Sequence, residues 1–140
     1  MFERFSEEAR ITMHNSKHEA DHMGYPRLDT EHILLALLNN LAFASQFFKD
    51  ISVNDIRDEI FARLQQMPPP PIPRDLPFTK EARQALDYAA EEADKLKDRD
   101  VANRHILLGL LRLENCLAAQ VLHNNGVSVD LVRSRITRGK

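Results

Sequence analysis

Tryptophan is absent from the 140 residues, aromatic residues reach only 6%, and Cys116 is the single cysteine. One thiol forms no intrachain disulfide and no cysteine-rich zinc site. So few aromatics argue against an aromatic cage or a stacking platform for bases. An excess of charge of one sign is also missing: 19 Lys and Arg against 21 Asp and Glu, with His neutral, leave a formal net charge of -2. Polyanion binding by bulk charge, and with it a nucleic-acid partner, is therefore not expected. The longest apolar run, Ile33 to Leu38, falls far short of the roughly 20 residues of a spanning helix. The start Met1-Phe2-Glu3-Arg4-Phe5-Ser6-Glu7-Glu8 mixes both charges and lacks the apolar core of a signal peptide. The expectation is a cytoplasmic chain with no membrane partner. The four glycines, Gly24, Gly109, Gly126 and Gly139, leave no Gly-x-x-x-x-Gly-Lys-Ser/Thr loop, which excludes ATP hydrolysis by that route.

What the chain does have is an internal repeat. Phe5-Ser6-Glu7-Glu8-Ala9-Arg10 returns as Phe78-Thr79-Lys80-Glu81-Ala82-Arg83, and His32-Ile33-Leu34-Leu35 returns as His105-Ile106-Leu107-Leu108, both at an offset of 73. Identical pairs fall at 5, 8–10, 19–21, 32–35, 37 and 38, where chance at ~6% per position would give roughly two over this stretch. Val53, Arg57 and Ile60 match Val129, Arg133 and Ile136 at an offset of 76, so the second copy is expected to carry three extra residues near Leu117 to Gly126. Six of the seven prolines lie in 68–77, a stretch that cannot be helix and reads as a stiff connector. The division is repeat one over 1–67, connector over 68–77 and repeat two over 78–140, packed as one domain because a copy of about 65 residues is marginal alone.

Inside each copy the period is helical. Ala9, Met13, Ser16, Ala20 and Met23 share one face, matched by Ala82, Leu86, Ala89, Ala93 and Leu96. Ser6 and Thr79 suit N-caps, and Glu8 and Glu81 suit a first turn. Gly24 suits the residue that ends the first helix. A second helix opens at the cap-type residues Thr30 and Asn103 and is apolar nearly all round, which marks it as central. Two shorter helices follow, near 43–49 and 54–66, with counterparts near 117–124 and 130–138. The fold class is all-α: eight helices as two four-helix repeats about a pseudo-twofold axis.

Phe5-Ser6-Glu7-Glu8-Ala9-Arg10 followed by Thr30-Glu31-His32-Ile33-Leu34-Leu35 resembles the Clp-N repeat, the duplicated amino-terminal domain of Clp AAA+ unfoldases, the ClpC type above all. The resemblance spans both copies. It implies a non-enzymatic recognition module that docks adaptor proteins and substrate peptides for an ATP-dependent protease, with Clp unfoldase and protease components as partners. Some members bind phosphoarginine between the start of the first helix and the Glu of the Thr-Glu-His element. Helix amides suit a phosphate, and a carboxylate suits a guanidinium. By matching position, copy one offers Ser6, Glu7 and Glu31. Copy two offers Thr79, Lys80 and Arg104, where the Arg replaces the Glu and favours a bare anion or an acidic side chain. Without ATPase modules the chain reads either as a piece of a longer unfoldase or as a free-standing regulatory subunit. No cofactor is implied.

His14, His18 and His22 follow at four-residue spacing on the first helix, opposite its apolar face. They form either a solvated polar stripe or a transition-metal site, and a metal-responsive helical protein is the rival reading. His32 and His105 open the buried helix and are expected to tie down backbone groups. No nucleophile accompanies them, and a Cys-His pairing at Cys116 has no local support, so a hydrolase is the weakest reading. Among Phe43, Phe47 and Phe48, the first two share a face and Phe48 points elsewhere; core packing is the expectation, and an exposed one of the three contributing to a partner surface is the alternative. Arg133, Arg135, Arg138 and Lys140 read as a solvated basic tail.

Overall fold

Ser6 and Thr79 each end an extended segment and start a helix, because each hydroxyl accepts the backbone N–H three residues on, from Ala9 and Ala82, both at 3.1 Å. The computed structural model describes residues 2–25, 27–65 and 78–138, and the connector expected over 68–77 lies outside them. Among the described residues eight helices run in order: α1 (Glu7–His22), α2 (Thr30–Asn39), α3 (Leu41–Phe47), α4 (Val53–Gln65), α5 (Lys80–Lys95), α6 (Asn103–Arg112), α7 (Leu117–Asn124) and α8 (Val129–Arg138). No strand occurs among the described residues, only two isolated bridges. No single helix described is long and apolar enough to cross a membrane.

The central pair is α2 and α6. Ile33, Leu34, Leu35, Leu37 and Leu38 on α2, and Ile106, Leu107, Leu108, Leu110 and Leu111 on α6, are almost wholly buried. Each such side chain stabilises the fold by about 1.5–3 kcal/mol relative to exposure. The repeats pack reciprocally around that pair: α1 meets α6 as α5 meets α2, and α3 meets α8 as α7 meets α4. The bridges follow the same exchange. Phe5 pairs with Val101, and its counterpart Phe78 pairs with Leu28, the counterpart of Val101. A twofold relation between the copies requires this pattern.

Several boundaries differ from expectation. Asp29, not Thr30, caps α2, its Oδ1 accepting the Thr30 N–H at 2.7 Å. Ala102 stands at the cap of α6 with no side chain to offer, and His105 serves instead, its Nδ1 accepting the Ala102 N–H at 2.8 Å. The three extra residues of copy two lie in the α6–α7 connection, before Leu117 rather than after it. Asn40 alone joins α2 to α3, while 113–116 join α6 to α7. The register is fixed by matching caps, with Asn40 Oδ1 on the Phe43 N–H and Cys116 Sγ on the Ala119 N–H. Phe43, Phe47 and Phe48 are all buried, so none is left for a partner. α3 is short and packs on both α2 and α8, which take up its Phe43–Phe47 face. Among the described residues the exposed large apolar side chains are Leu41, Ile11 and Phe61. The basic tail is tied down in part: Arg133 donates to Glu92 at 2.9 Å, and Arg135 donates to the Gln46 carbonyl and pairs with Asp50. Lys140 lies outside the described residues.

Candidate functional site

The reciprocal bridges decide which helix starts face each other. The Ser6 N–H donates to the Val101 carbonyl at 2.9 Å and the Thr79 N–H to the Leu28 carbonyl at 3.0 Å. The start of α1 therefore abuts the start of α6, and the start of α5 abuts the start of α2. The within-copy grouping of Ser6 and Glu7 with Glu31 does not hold. Ser6 and Glu7 belong with Arg104, and Thr79 and Lys80 belong with Glu31. The start of a repeat's first helix sits beside the start of the partner repeat's central helix, which nothing local in the sequence specifies.

At the α5–α2 junction Thr79 Oγ1 donates to Asp29 Oδ1 at 2.7 Å, linking the two helix starts directly. Lys80 and Glu81 are exposed. Glu31 is 2% exposed, and it accepts from the Thr30 hydroxyl at 3.5 Å. Burial, with Asp29 beside it, pushes its carboxyl up to about 7. Glu31 is thus a buried, half-ionised carboxylate next to a helix start.

At the α1–α6 junction Thr12 Oγ1 donates to Asn103 Oδ1 at 2.7 Å. Glu7 and Glu8 are exposed, and Glu8 shares with Asn103 and Arg104 a cavity of about 180 Å³ that Asn40 and Gln46 also line. Arg104 is held from behind by Asp98, at 3.0 Å. The same Asp98 oxygen takes the His105 Nε2–H at 2.8 Å. Asp98 would be raised by its burial, but Arg104 and His105 hold its carboxyl below the usual range. The Asn103 Nδ2 and Arg104 Nε atoms are buried with no hydrogen-bond partner among the described residues.

His32 and His105 do tie down backbone, each Nδ1 accepting an N–H at the start of its helix, from Asp29 and Ala102, both at 2.8 Å. Burial lowers both, His32 to about 4, so both rings are neutral. Their Nε2 sides differ. His105 has Asp98, whereas His32 lies edge-on to Tyr25 and its Nε2 has no hydrogen-bond partner among the described residues. Cys116 is buried, and that burial pushes its thiol up, away from nucleophilic character.

A larger groove of about 640 Å³ opens beside the α5–α2 junction, with Phe2, Met13, Leu28 and Phe78 as its apolar lining and Arg10, Lys17, His14 and Glu3 as its polar one. Residue spacing holds no sign of it, because its walls come from segments 76 residues apart in the chain, Phe2 and Phe78. His14 and His18 are exposed on α1 as their spacing implied, with their Nε2 atoms 3.1 Å apart. His22 is exposed one turn further on. Among the described residues no three His, Cys, Asp or Glu side chains converge as a metal cluster.

The family model of the Clp repeat (R) N-terminal domain matches residues 4–75 and again 77–139. The chain belongs to that family. Clp-N relatives include the chloroplastic chaperone protein ClpC2 of Arabidopsis thaliana, 33% identical over 144 residues, which covers 99% of this chain and 15% of that protein. The chaperone protein ClpB of Oceanobacillus iheyensis is 32% identical over 139 residues, covering 97% of this chain and 17% of that protein. The chain thus spans about one sixth of the length of the curated relatives it matches. The fold is shared with the N-terminal domain of ClpD from Arabidopsis thaliana, at a TM-score of 0.76 and 23% identity over 99% of this chain and 96% of that one. It is shared too with the N-terminal domain of Hsp104 from Candida albicans, at a TM-score of 0.78 and 24% identity over 98% and 93%. As a domain type Clp-N is a non-catalytic module of Clp chaperones.

Proposed function

We propose that this Clp-N domain is a docking module of a Clp-type ATP-dependent protease system, receiving adaptor proteins or substrate peptides in the cytoplasm and performing no chemistry of its own. The observation that carries the reading is the reciprocal exchange of helix starts. It creates two junctions, each with helix N-terminal amides and one charged side chain contributed by the other repeat. The charges are arranged in opposite order. Glu7 and Glu8 stand with Arg104 at one junction, and Lys80 stands with Glu31 at the other.

Phosphoarginine is the finer form of this reading, and it belongs to the Glu31 junction. The α5 amides and Lys80 suit its phosphate, and Glu31 suits its guanidinium. A cation arriving beside Glu31 favours the ionised carboxylate over the half-protonated one. The Arg104 junction suits an acidic side chain or a terminal carboxylate, and it repels a guanidinium. The docking chemistry is the same whether the domain acts within a longer unfoldase or as a separate regulatory subunit.

The test immobilises the chain and passes over it a lysate of its host with a slowly hydrolysed ATP analogue, identifying what is retained by mass spectrometry. A Clp ATPase, peptidase or adaptor is expected, and Arg104→Glu reduces its recovery. Retention of nothing from that system overturns the docking reading. Calorimetry with a phosphoarginine peptide and its unmodified twin tests the finer form. Binding of the phosphorylated peptide only, lost in Glu31→Ala, is expected, and equal binding of both peptides overturns it.

A further inference from the structure

His14 and His18 lie one turn apart on the solvent side of α1. Their rings stand nearly perpendicular, with centroids 4.6 Å apart, and they present Nε2 to Nε2 at 3.1 Å. That separation suits two nitrogens sharing one ion. A metal at about 2.0–2.1 Å from each would subtend an N–metal–N angle of roughly 100°, between the right angle of square-planar or octahedral geometry and the tetrahedral angle. Neutral imidazole suits copper, nickel and zinc. Both rings are exposed, so an ion reaches them without opening the fold.

The surroundings allow it. The Lys17 ammonium, which lies between the two histidines in sequence, is drawn to Asp21 at 2.8 Å. With no third protein ligand converging among the described residues, water would complete the coordination shell. The pair is also a property of one repeat. The equivalent positions of α5 hold Asp87 and Glu91, so the shared fold does not require histidines there. His14 also lines the groove that holds Phe2, Met13, Leu28 and Phe78.

We propose that His14 and His18 form a two-nitrogen site for a divalent late first-row ion, copper, nickel or zinc, at the edge of this groove. The ion would keep exchangeable positions directed to solvent, available to a donor group on whatever occupies the groove. The site is independent of the docking reading and stands or falls separately.

The test titrates the untagged chain with Cu²⁺ alone, and then with Ni²⁺ alone, in a non-coordinating buffer near neutral pH. Calorimetry gives the stoichiometry, and the histidine ring resonances give the location by NMR. One ion per chain is expected, with the His14 and His18 ring signals broadened first by Cu²⁺. Affinity falls at least tenfold in His14→Ala and in His18→Ala and is unchanged in His22→Ala and His123→Ala. Far-ultraviolet circular dichroism checks the fold, and alanine at exposed helical positions preserves it. Absence of binding overturns the proposal and leaves the pair as a ring-to-ring hydrogen bond. Binding that survives the double variant, or that is lost in His22→Ala, overturns it too by placing the ion elsewhere.

Discussion

Repeat one and repeat two share a backbone plan and solve the same packing problem with different residues. In repeat two, α5 presents Ala82, Ala85, Ala89 and Ala93 to α6, and Gly109 lets the two backbones close in. A Cβ built at Gly109 would lie 2.2 Å from the Ala85 carbonyl oxygen and 2.9 Å from the Ala89 nitrogen. In repeat one the same positions are Thr12, Ser16 and Ala36, all buried. The Thr12 hydroxyl turns to Asn103 of the other repeat, and Ser16 bonds back to the Thr12 carbonyl. One repeat is built on close helix contact and the other on small polar groups that find partners. A repeat in the sequence therefore guarantees similar topology and leaves the local interactions free to diverge.

The sharpest way to break the comparison is to exchange the small residues. Gly109→Ala should destabilise the domain by about 2–3 kcal/mol, since backbone atoms, not flexible side chains, meet the new methyl. Ala36→Gly should cost only about 1 kcal/mol, the helix-propensity difference. Urea unfolding of both variants measures the asymmetry, and equal midpoints would show that the two helix pairs pack alike.

Next in size is Glu31, whose counterpart is Arg104. A carboxyl raised to about 7 on folding contributes its stability at pH below its unfolded value and loses it as pH rises through about 7. At one pKa unit per 1.36 kcal/mol the loss through this group is at most about 3 kcal/mol. Glu31→Gln should therefore exceed the parent in stability near pH 8 and match it near pH 4. His32 runs the other way: lowered to about 4, its contribution is present above about pH 6.5 and lost as pH falls through 4. It is common to both proteins, so the difference between their denaturation curves isolates Glu31. Arg104→Gln should produce no such crossing.

Glu92 and Glu19 are equivalent positions with unequal duties. Glu92 is 1% exposed and takes Arg112, Arg133 and Lys95 at 2.9–3.4 Å. Burial pushes its carboxyl up, yet Arg133 and Lys95 hold it below the usual range. Glu19 is half-buried and accepts from Asn39 at 3.0 Å. Glu92→Ala should cost about 1.5–3 kcal/mol, as for hydrogen bonds to a charged group, and Glu19→Ala less than about 1 kcal/mol. Thermal unfolding compares them.

The smallest contrast is at the ends of α1 and α5. Gly24 and Lys97 hold the same left-handed position, at φ 79° and 60°. In both repeats the next N–H closes the turn, Tyr25 on the Ala20 carbonyl and Asp98 on that of Ala93. Lys97→Gly should stabilise by about 0.5 kcal/mol through relief of that conformation, and Gly24→Ala should destabilise by about 1 kcal/mol. Denaturant midpoints of opposite sign are the expected readout.

The sequence by itself determined the duplication, the order of helices, the caps at Ser6 and Thr79, the apolar faces of α1 and α5, the burial of α2 and α6, and the family. All of these are local: periodicity, capping chemistry and residue identity at a fixed offset carry them. The connection bearing the three extra residues was misplaced because Asn40 and Cys116 do not look alike as caps, although both accept the same N–H. Long-range packing set the start of α1 beside that of α6 and the start of α5 beside that of α2. It also decided that Glu31 is buried, that all three phenylalanines near α3 are covered, and that two histidine nitrogens stand 3.1 Å apart. The physical reason is one exchange. Each repeat packs its first helix along its own central helix and sets the start of that helix against the start of the other repeat's central helix, and such long-range pairing comes from surfaces that fit in three dimensions, which residue spacing along one chain does not encode.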